Sequence, residues 1–121
     1  MKNAFQQLFV FFQQFGLDVY YEGSIPDDAS LPYISVNIPD PDFGVMADIF
    51  ARIWYRGYTY ADITAKVDEI ARTLDRPKYI NTGDGSIYLS RAQNWCQMLP
   101  SGEVDVKCAY LQFNYMRLST S

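Results

Sequence analysis

Polar and apolar residues along this chain change period several times, and each change marks an element. Asn3 to Phe15 places Phe5, Leu8, Phe9, Phe12 and Phe15 on one broad face, with Gly16 standing where a helix C-terminus needs positive φ, so a first helix is predicted there. Val10 and Phe11 widen the stripe beyond one core face. A well-buried helix and a helix lying against a neighbouring subunit both account for that width. Asp18 to Tyr21 reads as a short strand, followed by a polar, proline-containing loop from Glu22 to Ser30 that is expected to be mobile. Tyr33 to Ile38 alternates, with Ile34, Val36 and Ile38 on the inward side, as a half-buried strand does. Pro39 to Gly44, PDPDFG, is a turn-rich connection of hairpin-tip character that exposes Phe43.

Val45 to Arg56 fits two periods. Ile49, Ala51, Ile53 and Tyr55 alternate with Phe50, Arg52, Trp54 and Arg56, while Met46, Ile49, Phe50 and Ile53 would also line a helix. Enrichment in β-branched and aromatic residues, and a matching strand just upstream, select the strand. After Gly57 the pattern changes to a helix: Ile63, Val67, Ile70 and Leu74 recur at offsets of four, three and four. Thr59 and Asp62 have the arrangement of an N-terminal cap, Arg72 and Arg76 sit at the far end, and Pro77 stops the run. Asp62 with Lys66, and Asp68 with Arg72, are spaced as i,i+4 pairs. Burial of the four apolar side chains outweighs such pairs, at roughly 1.5–3 kcal/mol each before ordering entropy is subtracted.

Beyond this helix, Lys78 to Ile80 extends briefly, Asn81 to Ser86 (NTGDGS) turns, and Ile87 to Arg91 is a strand continued by Gln93 to Leu99. Pro100 to Glu103 turns, and Val104 to Arg117 is a long final strand with Ala109, Leu111, Phe113 and Tyr115 opposite Val106, Cys108 and Tyr110; Leu118 to Ser121 is a loose tail. The order is α-β-β-β-α-β-β-β. It predicts an α+β fold, a single mostly antiparallel sheet with two helices packed on it, as one domain over residues 1–121.

Composition narrows the chemistry. Histidine is absent, which removes Ser-His-Asp and Cys-His catalysis and His-liganded zinc. The carboxylates left for an acid-base pair, Asp27, Asp28, Asp40 and Asp42, all lie beside prolines in loops and read as solvated loop acids. The Gly-Asp-Gly of the NTGDGS turn lacks the further acids of a calcium loop and the Gly-Lys-Ser/Thr ending of a phosphate loop. Cys96 and Cys108 match no metal or redox spacing and read as two buried small side chains, with a disulfide open if their strands pair in register. No catalytic residue, metal or cofactor is predicted, and the chain is not expected to be an enzyme. No apolar run reaches the roughly 18 residues of a membrane span, and the N-terminal segment lacks a signal-peptide cleavage site. A soluble, cytoplasmic protein is therefore expected. Ten Tyr and eight Phe are a surplus, and a surplus of aromatics belongs to interfaces.

The segments LPYISVNI (Leu31 to Ile38), IWYRGYTYADITAKVDEIARTL (Ile53 to Leu74) and SIYLSRAQNW (Ser86 to Trp95), with a strand ending near Tyr115, resemble the tail-terminator and tail-completion (neck) proteins of long-tailed bacteriophages in layout across nearly the whole chain. The resemblance implies a structural virion protein, assembled in the host cytoplasm, that forms a homo-oligomeric ring, usually hexameric. That ring would cap the tail tube, join it to the head connector, and let DNA pass without binding it. A head-completion or minor capsid protein of the phage neck is the alternative within the same assembly. Candidate interface residues are Phe11, Asp40, Asp42, Phe43, Trp54, Tyr58, Asp84 and Trp95, with the two loop tips as candidates for facing the channel or the neighbouring ring. An unrelated protein-interaction module is a further reading. A single-stranded nucleic-acid binder would use Arg52, Trp54, Tyr55, Arg56, Tyr58 and Tyr60 as stacking faces and cations. Fourteen acids against ten bases, a net charge of −4, oppose it, because phosphate binding rests on a cationic surface.

Overall fold

The structure, a computed structural model, describes residues 3–119. The elements are α1 (Ala4–Gln13), β1 (Asp18–Tyr21), β2 (Tyr33–Asn37), β3 (Met46–Arg56), α2 (Ala61–Thr73), β4 (Lys78–Thr82), β5 (Gly85–Leu99) and β6 (Val106–Ser119), with one short 3-10 turn at Glu22–Ser24. The six strands form one sheet in the order β1-β2-β3-β6-β5-β4. Every pairing is antiparallel except β1 with β2, which is parallel. The fold is the expected α+β arrangement in the expected element order.

The centre of the sheet is the β3–β6 pair, in register from Met46 opposite Met116 to Arg56 opposite Val106. Directly opposed residues share a face, so Ile49, Ala51 and Ile53 join Phe113, Leu111 and Ala109 on one side. Both helices lie on that side, and their buried Leu8, Phe11, Phe12, Ile63, Val67 and Ile70 complete one core with it. Phe12 meets Phe113 edge to face at 5.3 Å, which plants α1 on the central strand. Lys66 ties α2 to the end of α1 by donating to the Phe15 carbonyl at 2.6 Å and pairing with Glu69 at 3.0 Å. Among the described residues no helix is long and apolar enough to cross a membrane.

Several local expectations are corrected. The first helix is capped by Asn3, whose side chain accepts from the Gln6 N–H while Gln6 accepts from the Asn3 N–H. Thr59 does not cap α2: Tyr60 is the cap residue, and the Thr59 hydroxyl only accepts from the Ala61 N–H at 3.4 Å. Lys66 turns to Glu69 rather than Asp62, and no ion pair joins Asp68 to Arg72 among the described residues. The loop after β1 opens with the 3-10 turn, and Glu22 there is anchored to the sheet. The NTGDGS turn contracts to Gly83 and Asp84 between paired Thr82 and Gly85. Gly85 is required there, since at φ +156° a Cβ would lie 1.8 Å from the Leu118 carbonyl oxygen. Ile87–Arg91 and Gln93–Leu99 are one strand with a bulge between Arg91 and Cys96. Leu118 and Ser119 belong to β6, and the last two tail residues lie outside the described range.

Ile70, fully buried at mid-helix, tests the α2 stripe. Ile70→Ala is expected to cost about 2–4 kcal/mol in urea unfolding, through lost burial and the cavity left behind. A loss under roughly 0.5 kcal/mol, within the range of a surface substitution, would place this side chain outside the core.

Candidate functional site

Both α-helices cover one face of the sheet, and the even-numbered side chains of β3 and β6 therefore form the other, where the Glu22–Ser24 turn is anchored and, among the described residues, no α-helix packs. Its first band runs across β1, β2 and β3 as Tyr20, Tyr33 and Trp54, with ring centroids 5.6 Å and 6.5 Å apart in succession. Phe50 stacks on Tyr110 at 5.6 Å, and the Arg52 guanidinium lies 5.6 Å from the Tyr110 ring. A second band crosses four strands where Tyr79, Tyr88, Met116 and Met46 stand opposite one another in turn. Between the bands lies the polar row Ser90, Asn114 and Asp48.

One charged group is set into the first band. Glu22 accepts from Arg52 at 2.8 Å and 3.0 Å and from the Ser35 hydroxyl at 3.3 Å, so the arginine is neutralised where it meets the aromatics. Beside it, Cys108 is buried, and burial pushes its thiol up to about 11, with Arg52 pulling the other way and Glu22 adding to the rise. Burial likewise raises the Tyr33 hydroxyl, Cys108 and Tyr20 adding to it. The expectation of two buried cysteines holds for Cys108 only, because Cys96 is exposed. Cys96 stands opposite Leu111 on the helix side, whereas Cys108 stands opposite Trp54 on the open side, so the sheet separates the two sulfurs.

A second constellation gathers the loop tips. Arg117, near the end of β6, pairs with Asp40 at 2.9 Å and Asp84 at 3.5 Å, donates to the Pro41 carbonyl at 3.3 Å, and rests its guanidinium 4.3 Å from the Phe43 ring centroid. The Gly44 N–H donates to the Arg117 carbonyl at 2.8 Å, which fixes the PDPDFG tip to the strand end. Three of the sequence-predicted interface residues, Asp40, Phe43 and Asp84, thus meet around one arginine, with Asp42 exposed on the same tip.

The remaining candidates separate. Trp54 belongs to the first band, and its Nε1 is buried without a partner among the described residues. Tyr58, 77% exposed, stands at the opposite end of β3 with exposed Tyr60 and Val104. Trp95 packs edge to face on Phe113 at 5.0 Å and lines a cleft of about 530 Å³ with Leu74, Asp75, Pro77 and Arg91. Phe11 is not on the surface: it is buried against Phe12 and Phe15, so the exposed side of α1 is Phe5 and Val10. Arg52 was legible only as a cation. Its partner Glu22 lies thirty residues away, and no local signal links them. Among the described residues no three His, Cys, Asp or Glu side chains gather as metal ligands would. No protein-family model matches this chain, and no curated protein matches it.

The placement of the thiols has two consequences. A disulfide-exchange reagent should count one reactive thiol in the native protein and two in guanidinium; two in the native state would put Cys108 at the surface. Below the ordinary thiol value of 9.0 the folded and unfolded chains both hold the Cys108 proton. Between 9.0 and about 11 only the folded chain holds it, so stability should fall as pH rises through that window. Urea midpoints of the native protein and Cys108→Ala across this range check the sign, with the variant showing the flatter profile.

Proposed function

We propose that this chain is a structural subunit of the phage tail-terminator kind, whose copies form a ring that caps a tail tube and joins it to the head connector. Its place is the neck of a virion, after assembly in the host cytoplasm. The observation that carries this reading is the aromatic face of the sheet, which lies opposite both α-helices and carries Phe50, Trp54 and Tyr110 as half-buried rings. Exposed apolar side chains also collect at both ends of the long strands. Phe43, Val45 and Met46 lie at one end of β3, and Tyr58, Tyr60 and Val104 at the other. Eleven residues of strand separate these ends by roughly 35 Å. A ring subunit that joins two different structures needs contact surface on both ends as well as against its neighbours.

The nucleic-acid reading loses its cations to this arrangement. Arg52 is held by Glu22, and Arg56 pairs with Asp105 at 2.8 Å. Tyr55 packs against the helix-side core rather than standing beside Trp54 on the open face. A ring of such subunits multiplies a charge of −4 by its copy number, and a lumen that repels phosphate lets a genome slide.

Light scattering over a concentration series, with and without purified tail tubes, tests the assembly. A defined multimer, or saturable binding to tube ends, is expected. A chain that stays monomeric at high concentration and ignores tail tubes would end this reading. A filter-binding or gel-shift measurement at about 150 mM salt should detect no affinity for single- or double-stranded DNA. Micromolar binding that Arg52→Ala or Arg56→Ala abolishes would promote the nucleic-acid reading instead.

A further inference from the structure

The PDPDFG tip and the surroundings of the cleft at the β5 bulge are opposite in charge. The tip carries Phe43, 44% exposed with one ring face on Arg117, directly after the exposed Asp42 and three residues after Asp40, which Arg117 holds. The cleft, about 530 Å³, is lined by Leu74, Pro77, Tyr88 and Trp95 together with the polar Ser90, Gln93 and Asn114, and has room for a phenyl ring. Arg91 lines it, 5.8 Å from the Trp95 ring, and the exposed Arg72, Arg76 and Lys78 come from the segment that forms its wall. Asp75 is the one acid lining it. Elsewhere most cations are occupied: Arg52, Arg56, Lys66 and Arg117 are in ion pairs, and Lys107 lies over the Tyr60 ring at 5.1 Å. Arg72, Arg76 and Lys78 enter no ion pair among the described residues. The chain therefore keeps, among the described residues, a basic patch free of ion pairs beside a cleft of mixed polarity, and an acidic tip with a half-exposed ring.

We propose that the Phe43 tip of one copy inserts into the Leu74–Pro77–Trp95 cleft of the next, with Asp42 meeting Arg72, Arg76 and Lys78. The tip hangs from the β2–β3 connection and the cleft opens beside β5 where β4 begins, so donor and acceptor surfaces are different patches of one subunit. Such a head-to-tail contact closes into a ring when its rotation closes, and extends into a filament when it does not. A buried aromatic anchor rimmed by paired charges is the composition of an interface hot spot. This assignment rests on the ring reading and names the surfaces that make the ring.

Charge reversal with restoration tests it. Asp42→Arg and Arg76→Asp, both exposed and remote from the core, are compared singly and together by light scattering, with circular dichroism confirming the fold. Each single variant, and Phe43→Ala, is expected to weaken assembly by roughly tenfold or more, and the double reversal to restore it. Assembly that ignores all three substitutions would overturn the tip-in-cleft contact while leaving a ring built through other surfaces. Loss in both single reversals without restoration in the double would also overturn it, assigning the tip to a different partner. A native chain that never assembles would remove the ring reading and this contact together.

Discussion

The register of β3 against β6 is the constraint on which the rest of the molecule depends. Eleven consecutive residues of β3 each face one residue of β6, and the period of two then decides every other placement. Ile49, Ala51 and Ile53 with Ala109, Leu111 and Phe113 make an apolar floor that only a second layer can cover, and both helices are drawn to it. A slip of one residue would send Arg52, Gln112 and Asn114 into that layer, where unpaired polar groups cost several kcal/mol. The same alternation leaves Phe50, Trp54 and Tyr110 on the uncovered side. Core and candidate surface are thus two outputs of one pairing.

What the sequence made legible was periodic and local. The α2 stripe, the alternation of β6, and the exposure of the PDPDFG tip follow from spacing and turn chemistry alone, and the structure reproduces them, whereas in β2 the outward Ser35 is buried beside Glu22. The ambiguity of Met46 to Arg56 is resolved by pairing, since a segment with strands on both sides is held as a strand whatever its helical moment. The Asn3–Gln6 capping box was readable as an N-cap residue followed by Gln three positions on, and went unread. Long-range placement was not readable. Nothing in the residues near Cys96 says that the bulge after Arg91 turns it to the helix side, opposite in sense to Cys108. The width of the α1 stripe fits burial and a subunit contact equally well, and Phe11 is buried on a broad aromatic face with Phe12 and Phe15.

The candidate surfaces illustrate how topology converts scattered residues into sites. Asp40 and Asp84 are distant in sequence, yet both reach Arg117 because the β2–β3 connection and the β4–β5 turn lie at the same end of the sheet. Arg117 does more than balance charge there. Its guanidinium is planar and weakly hydrated, so it can hold carboxylates at its edge and the Phe43 ring on its face, which an ammonium group does poorly. The tip is held in place before any partner arrives, and less entropy remains to be lost on binding.

The composition of the open face would also constrain any layer seated on it. Its two aromatic bands are separated by Ser90, Asn114 and Asp48, so a partner cannot slide along it as it could along a uniform apolar surface. A covering layer displaced along the strands would set apolar groups over the polar row and strand Asp48 without water. Polar rows of this kind fix orientation at some expense of affinity, because they penalise wrong alignments more than they reward the right one. The Glu22–Arg52 pair within the first band acts in the same direction, since its hydrogen bonds are already satisfied internally and it offers a partner shape and stacking rather than a free charge. A face built this way favours one seated geometry, which is what a subunit needs if it is to repeat identically around a closed assembly.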